Sequence, residues 1–127
     1  MLSFIRSTIR AIGFAVEGWW YVLRTQSNAW VHALISIAVI IVCLWLQLPA
    51  RDWAVIILTI AIVWAAESFN TAVETLTDLV SPEKHKLAKI SKDASAAAVL
   101  ISAAASIIIG ILIIAPPLWK KIASLLR

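Results

Sequence analysis

Three long apolar runs restrict this chain to a membrane architecture. We predict membrane-spanning helices over residues 29–48, 53–80 and 94–115, because about 20 residues at about 1.5 Å each cross the hydrocarbon of a bilayer. Hydrophobic residues make up 62% of the 127 residues and charged residues only 14%. A domain this small cannot bury so much apolar surface in its own core, so the sequence indicates an all-α membrane protein with a single domain, residues 1–127.

The second run contains an acidic residue within the membrane. Residues 53–66 are apolar, but about 14 residues are too few to span the hydrocarbon. The helix is therefore predicted to continue through Glu67 to about Val80, and Pro82 disfavours helical geometry just beyond it. Glu67 then lies inside the hydrocarbon or at its edge, where a carboxylate usually has a function.

The regions outside the spans are predicted to lie at the membrane surface. Residues 2–17 are predicted to form an amphipathic surface helix, residues 81–93 a polar loop, and Pro116-Pro117 the end of the third span. In the surface helix, apolar residues recur at spacings of three and four and form one face: Leu2, Ile5, Ile9, Ile12 and Val16. The charged residues share another face: Arg6, Arg10 and Glu17.

The basic residues divide unequally between the two ends of the spans. Seven lie on one side, Arg6, Arg10, Arg24, Lys84, Lys86, Lys89 and Lys92, and four on the other, Arg51, Lys120, Lys121 and Arg127. Basic residues are enriched on the cytoplasmic side of membrane proteins, so the N-terminus is predicted to be cytoplasmic. The net charge of +4 therefore reports topology and does not indicate a nucleic-acid partner.

Polar residues of the second span form one stripe. At about 100° per residue, Asn70, Glu74 and Asp78 lie within about 60° of Glu67, and the stripe runs about 16 Å along the helix. An ionised carboxylate costs at least about 2.5–3.5 kcal/mol inside a membrane, so these acids need compensation. Protonation, basic partners or metal ions could supply it. Magnesium binds one or two carboxylates together with substrate phosphates, so a stripe that ends near Lys89, Lys92 and Asp93 could hold metal and phosphate together.

The residues alone leave three functions open. The stripe fits a metal and phosphate site, but the acids could also exchange protons in a small transporter or hydrogen-bond between helices in a non-enzymatic scaffold. The three glycines of the chain form no phosphate-binding loop of the usual nucleotide-binding patterns.

Three segments resemble the prokaryotic diacylglycerol kinase and undecaprenol kinase family. They are E-S-F-N-T-A-V-E-T-L-T-D from Glu67 to Asp78, S-P-E-K-H-K-L-A-K-I-S-K-D from Ser81 to Asp93, and T-Q-S-N-A-W-V-H from Thr25 to His32. The resemblance covers most of residues 18–114. It implies three spanning helices and an N-terminal surface helix in the bacterial cytoplasmic membrane, and a homotrimer with active sites shared between subunits. It also implies transfer of the γ-phosphate of Mg-ATP to the hydroxyl of a membrane lipid, undecaprenol or diacylglycerol.

The resemblance also implies roles for individual residues. Glu67 matches the general base, Glu74 a metal-binding carboxylate, and His85 a position in the loop that faces the nucleotide. Polar positions of the active site are matched by Asn70, Asp78, Lys92 and Asp93. Gln26 replaces a second metal-binding Glu of some relatives, and a neutral amide is a poorer ligand for Mg²⁺. Either one ion is held more weakly here, or another group completes its shell.

Overall fold

The computed structural model describes residues 1–83 and 85–126, and this part of the chain contains four helices and no strand. The helices are α1 (Leu2–Thr25), α2 (Ser27–Leu46), α3 (Ala50–Val80) and α4 (Lys86–Leu125). Helices α2, α3 and α4 are each long and apolar enough to cross a membrane, which confirms the predicted all-α fold with three spans. Lys84 and Arg127, both counted in the prediction of orientation, lie outside the described residues.

Helix α1 is longer than the predicted 2–17. It continues through Gly18 to Thr25, although a helical glycine costs about 1 kcal/mol relative to alanine. Burial of Val22 and Leu23, which are 4% and 9% exposed, offsets that cost. The helix ends because Gln26 adopts an extended conformation (φ −101°, ψ 116°), and α2 begins at the next residue. This single extended residue places the Gln26 side chain at the junction of α1 and α2.

A tight turn joins α2 to α3 and makes them an antiparallel pair. Gln47 takes a left-handed conformation (φ 54°, ψ 50°), as residues that follow a helix C-terminus often do. The N–H of Leu48 then donates to the carbonyl of Cys43 at 3.2 Å. Pro49 precedes α3, a place where its missing N–H costs little. The turn sets the register in which Cys43 packs near Ile56.

Helix α4 begins at Lys86, so the prediction of a polar loop across residues 81–93 is wrong for its second half. The Nδ1 atom of His85 accepts a hydrogen bond from the N–H of Leu87 at 3.2 Å and caps the helix. One turn later, Lys89 and Asp93 form an ion pair at 2.6 Å with the spacing that supports helices. The prediction took the many charged residues of this segment as a sign of a loop. Lysine, alanine and leucine are all good helix formers, so a charged segment of this composition can form the first turns of a helix.

Helix α4 also continues through Pro116 and Pro117, so the prediction that these prolines end the helix is wrong. Proline has a φ angle compatible with a helix, and its cost is a lost hydrogen bond and crowding against the preceding turn. Membrane helices tolerate this cost. With 40 residues, α4 measures about 60 Å, which is about twice the hydrocarbon thickness. Its terminal turns therefore extend beyond the hydrocarbon.

The buried core of the described chain is small and lies at two levels. One cluster joins Val22, Leu23 and Ala29 to Trp64, and the other surrounds Cys43 and Ile56. Helix α3 packs chiefly against α4. Many large apolar side chains remain exposed, among them Leu100, Ile101, Leu112 and Phe69, each about 70% exposed. Such a surface requires lipid or further protein chains around it.

Candidate active site

Glu67 is the most deeply buried charged side chain of the described residues, with 1% exposed surface. Its Oε2 atom lies 4.0 Å from Nε2 of His32 on α2. Its Oε1 atom is buried and has no hydrogen-bond partner among the described groups. A buried polar atom without a partner costs about 1–3 kcal/mol, and such atoms are rare in native proteins, where a catalytic role or a bound ion or water accounts for many of them. The Glu67 carboxylate is therefore the centre of the candidate site.

Glu74 lies two turns further along α3, towards the end of the helix that joins α4. Nδ2 of Asn70 donates to Oε1 of Glu74 at 3.3 Å, and Nε2 of Gln26 donates to Oε2 at 3.4 Å. Both hydrogen bonds are longer than usual, so neutral amides hold this carboxylate loosely. Glu67 and Glu74 both face α2, because their contacts on that helix or at its start are His32 and Gln26.

Asn70 connects Glu74 to α4. It is 7% exposed, and its Oδ1 atom accepts a hydrogen bond from Oγ of Ser95 at 2.7 Å. Thr71, in contrast, donates its hydroxyl to the backbone carbonyl of Glu67 at 3.0 Å, so that hydroxyl does not join the carboxylate group. The structure thus brings Gln26, Glu67, Asn70 and Glu74 together between α2, α3 and α4.

The remaining predicted residues lie at the polar end of α3 and α4. Lys92 donates to Oδ1 of Asp78 at 2.5 Å, next to the group around Glu74. Asp93 pairs with Lys89 on its own helix, and His85 caps α4. Exposed ion pairs of this kind contribute about 0–1 kcal/mol, so Lys92 and Asp78 can exchange partners at little cost. Asp93 and His85 make local contacts and do not join the buried group.

Two residues of the site received no role from the sequence. His32 had a usable signal, because it lies four residues before Ser36 in an otherwise apolar span, and polar residues at that spacing share one helix face. Ser36 accepts a hydrogen bond from Nε1 of Trp64 at 3.3 Å, and Trp64 lies one helical turn before Glu67 on α3. The face of α2 that carries His32 and Ser36 therefore faces the site. Ser95 had no such signal, since it is one of several serines in an Ala-rich segment.

The oxygen atoms around Glu74 suit a Mg²⁺ ion that binds together with substrate phosphates. Across residues 1–83 and 85–126, no group of three or more His, Cys, Asp or Glu side chains is placed to hold a metal ion. Magnesium, however, needs only one or two carboxylates when phosphates complete its shell. Glu74 supplies one carboxylate, and the amides of Gln26 and Asn70 would present oxygen atoms beside it if each turned by about 180°.

Comparison with known proteins finds one matching family model and several relatives. The family model for prokaryotic diacylglycerol kinase matches residues 13–114. The chain is 40% identical over 104 residues to the undecaprenol kinase of Bacillus subtilis (strain 168), which covers 82% of this chain and 85% of the relative. It is 31% identical over 108 residues to the diacylglycerol kinase of Escherichia coli (strain K12), which covers 79% of this chain and 82% of the relative.

A third relative is longer than this chain. The match to the diacylglycerol kinase of Synechocystis sp. has 42% identity over 106 residues, 83% of this chain but 61% of the relative. The family model spans all of α2 and α3 and the part of α4 up to residue 114, and the relatives from B. subtilis and E. coli are matched over 85% and 82% of their own length. The chain is therefore a multi-pass membrane protein that belongs to the prokaryotic diacylglycerol kinase family, a family of lipid kinases.

Proposed function

We propose that this protein transfers the γ-phosphate of Mg-ATP to the hydroxyl of undecaprenol or diacylglycerol at the cytoplasmic surface of the membrane. The family supports phosphoryl transfer to a lipid. The two acceptors are those named for the relatives from B. subtilis and E. coli. Apolar pockets discriminate poorly between hydrocarbon chains, so both acceptors are proposed.

The observation that carries this proposal is the buried, unpartnered Oε1 atom of Glu67. A lipid hydroxyl that reaches this atom would satisfy its hydrogen-bonding capacity. It would pass its proton to Oε1 as its oxygen bonds to the γ-phosphorus, and the bond from that phosphorus to the β,γ-bridging oxygen would break to release ADP. A positioned general base of this kind contributes about 10²–10⁴-fold to a rate. The 4.0 Å separation between His32 and Glu67 keeps an imidazole beside the carboxylate without occupying Oε1.

Glu74 is proposed to hold the Mg²⁺ of the nucleotide, with Gln26 and Asn70 as weaker neutral ligands. The bound ion would neutralise charge on the phosphates, the main requirement of phosphoryl transfer. Lys92 and Asp78, paired at 2.5 Å, are assigned to the polar end of the same site. Asp93 and His85, the other two candidates, are assigned to the side of the site that faces the nucleotide.

The proposal includes a homotrimer with shared sites and a cytoplasmic N-terminus. Its support is the family resemblance, the excess of basic residues on one side of the spans, and the exposed apolar surface of each protomer. In this orientation, the polar end of α3 faces the compartment that contains ATP.

The test is a reconstituted transfer assay. Vesicles containing the protein, γ-labelled Mg-ATP and either undecaprenol or diacylglycerol should yield labelled lipid phosphate. Glu67→Gln should lower turnover by about 10² or more with unchanged assembly. Glu17→Gln, which neutralises an exposed acid of α1, is the control and should retain activity. Absence of transfer to either lipid by the wild type would refute the proposal, and loss of assembly in Glu67→Gln would indicate a scaffold.

A further inference from the structure

The last part of α4 extends beyond the region that the chain shares with its family. The family model ends at residue 114, whereas α4 continues to Leu125. In this extension, Nζ of Lys121 donates to the carbonyl of Trp45 at 2.5 Å and lies 4.7 Å from the centroid of the Trp45 ring. The last carbonyl groups of a helix lack partners within it, so Lys121 caps α2 and fixes the extension against it.

The contact between Lys121 and Trp45 places the extension at the membrane surface. At the other end of α4, Lys92 pairs with Asp78 next to the candidate site. Between Lys92 and Lys121, α4 rises by about 44 Å, which is about the thickness of a bilayer including both of its head-group layers. The ammonium group of Lys121 therefore lies in the head-group layer opposite the candidate site.

Basic side chains from two helices converge on this layer. Arg51 lies in the first turn of α3, and Lys120 and Lys121 lie near the end of α4. Helical side chains point towards the N-terminus of their own helix, so Arg51 reaches outward from the spans while the two lysines reach back towards them. Arg51 and Lys120 are exposed, and neither forms an ion pair within residues 1–83 and 85–126. Both charges are therefore available to a ligand.

Neither topology nor the proposed function explains the charge at this end of the spans. Asp52 is its one acid, because the other Asp and Glu residues of the sequence are Glu17 and those from Glu67 to Asp93. In the proposed orientation this end is not cytoplasmic, and basic residues are depleted from such surfaces. The positive charge therefore calls for an anionic ligand at the depth of the lipid head groups.

Tryptophan residues make the same layer suitable for a lipid. Trp45 and Trp119 are 46% and 75% exposed, and Trp53 lies half-buried in the first turn of α3. Indole rings favour the boundary between hydrocarbon and head groups, where they would contact the glycerol and the upper part of the acyl chains. A soluble anion would use only the basic side chains, whereas an anionic phospholipid uses both the charges and the rings.

We propose that Arg51 and Lys120 bind the phosphodiester head group of an anionic phospholipid at the membrane surface opposite the candidate active site. Both side chains carry several N–H donors, and charge-assisted hydrogen bonds to phosphate are stronger than neutral ones. Lys121 is a positioning residue, because its contacts with Trp45 hold the extension and Lys120 in place. The bound lipid ties the start of α3 and the end of α4 to one leaflet. The inference goes beyond the proposed function and does not depend on phosphoryl transfer.

The experiment uses the full chain in phosphatidylcholine vesicles that contain a tracer of phosphatidylglycerol with a photoreactive head group. The tracer should label residues 115–125, and unlabelled phosphatidylglycerol should compete with it, whereas inorganic phosphate should not. Each basic residue near an anionic surface contributes about fivefold to affinity, so labelling should fall about twentyfold in Arg51→Gln/Lys120→Gln. The control, Arg6→Gln/Arg10→Gln, removes two exposed charges of α1. It should leave labelling of this segment within about twofold of wild type, because these charges are screened beyond about 8 Å.

Four results would overturn the inference. Equal labelling by a photoreactive phosphatidylcholine would reduce the site to an ordinary lipid contact, and competition by inorganic phosphate would make it a site for free anions. Unchanged labelling in Arg51→Gln/Lys120→Gln would remove these residues as ligands of the head group. A changed oligomer size in that variant would make the surface an interface between copies. Labelling is read without ATP or acceptor lipid, so this inference and the proposed function can each fail while the other holds.

Discussion

Gln26→Glu is the substitution that tests most directly whether Gln26 and Glu74 share a metal ion. In the structure, Nε2 of Gln26 donates to Oε2 of Glu74 at 3.4 Å. The substitution replaces that donor by a carboxylate, so the hydrogen bond is lost and two like charges stand at nearly the same separation. It also restores the residue that resemblance to the family leads us to expect at this position in some relatives.

The size of the effect follows from the geometry. Two unit charges about 4 Å apart repel by about 4 kcal/mol at an effective dielectric constant of about 20. Side-chain movement and water at this half-buried position reduce the repulsion, while the lost hydrogen bond adds about 1 kcal/mol. We therefore expect a loss of about 2–4 kcal/mol in the free energy of unfolding without Mg²⁺. A divalent cation between the two carboxylates reverses the sign, because both then become ligands.

The assay is thermal unfolding of the purified protein with and without Mg²⁺, together with the Mg²⁺ dependence of phosphoryl transfer. Gln26→Glu should have a lower Tm without Mg²⁺, a larger gain in Tm when Mg²⁺ is added, and a half-saturating Mg²⁺ concentration about tenfold lower than wild type. Asn28→Asp adds the same charge at an exposed position two residues away and is the control. Equal Tm losses with and without Mg²⁺, or the same Mg²⁺ response in Asn28→Asp, would refute the shared site.

Two further substitutions test contacts between helices. Lys121→Met should lower the free energy of unfolding by about 1–2 kcal/mol, because Lys121 donates to the carbonyl of Trp45 at 2.5 Å and lies 4.7 Å from the centroid of the Trp45 ring. The control, Lys120→Met, should change the free energy of unfolding by less than about 0.5 kcal/mol. Equal effects of the two substitutions in thermal unfolding would contradict this role of Lys121. Ser95→Ala should lower kcat about three- to tenfold, with a stability loss of about 1 kcal/mol, because Asn70 loses its partner on α4 at 2.7 Å. The Ser95 hydroxyl can donate to the amide oxygen of Asn70 or, after the amide turns, accept from its nitrogen. An unchanged kcat would show that this contact does not orient Asn70 for catalysis.

Local patterns in the sequence were sufficient for much of the fold. The three spans follow from apolar runs of membrane length, and the shared face of Glu67, Asn70 and Glu74 follows from helical periodicity, since both properties depend only on neighbouring residues. The errors were at helix ends. Helix α1 extends past Gly18, α4 begins at Lys86 rather than 94, and α4 continues through Pro116. Helix ends depend on capping contacts and tertiary support, which a count of polar residues or prolines does not measure.

The sequence by itself thus determined a membrane protein of three spans with an acidic stripe on one of them. Only the tertiary structure decided which groups face that stripe: His32 beside Glu67, Gln26 beside Glu74 and Ser95 beside Asn70. Periodicity assigns a residue to a face of its own helix, but it carries no information about the register of the neighbouring helix. That register is set by the left-handed turn at Gln47 and the extended residue at Gln26.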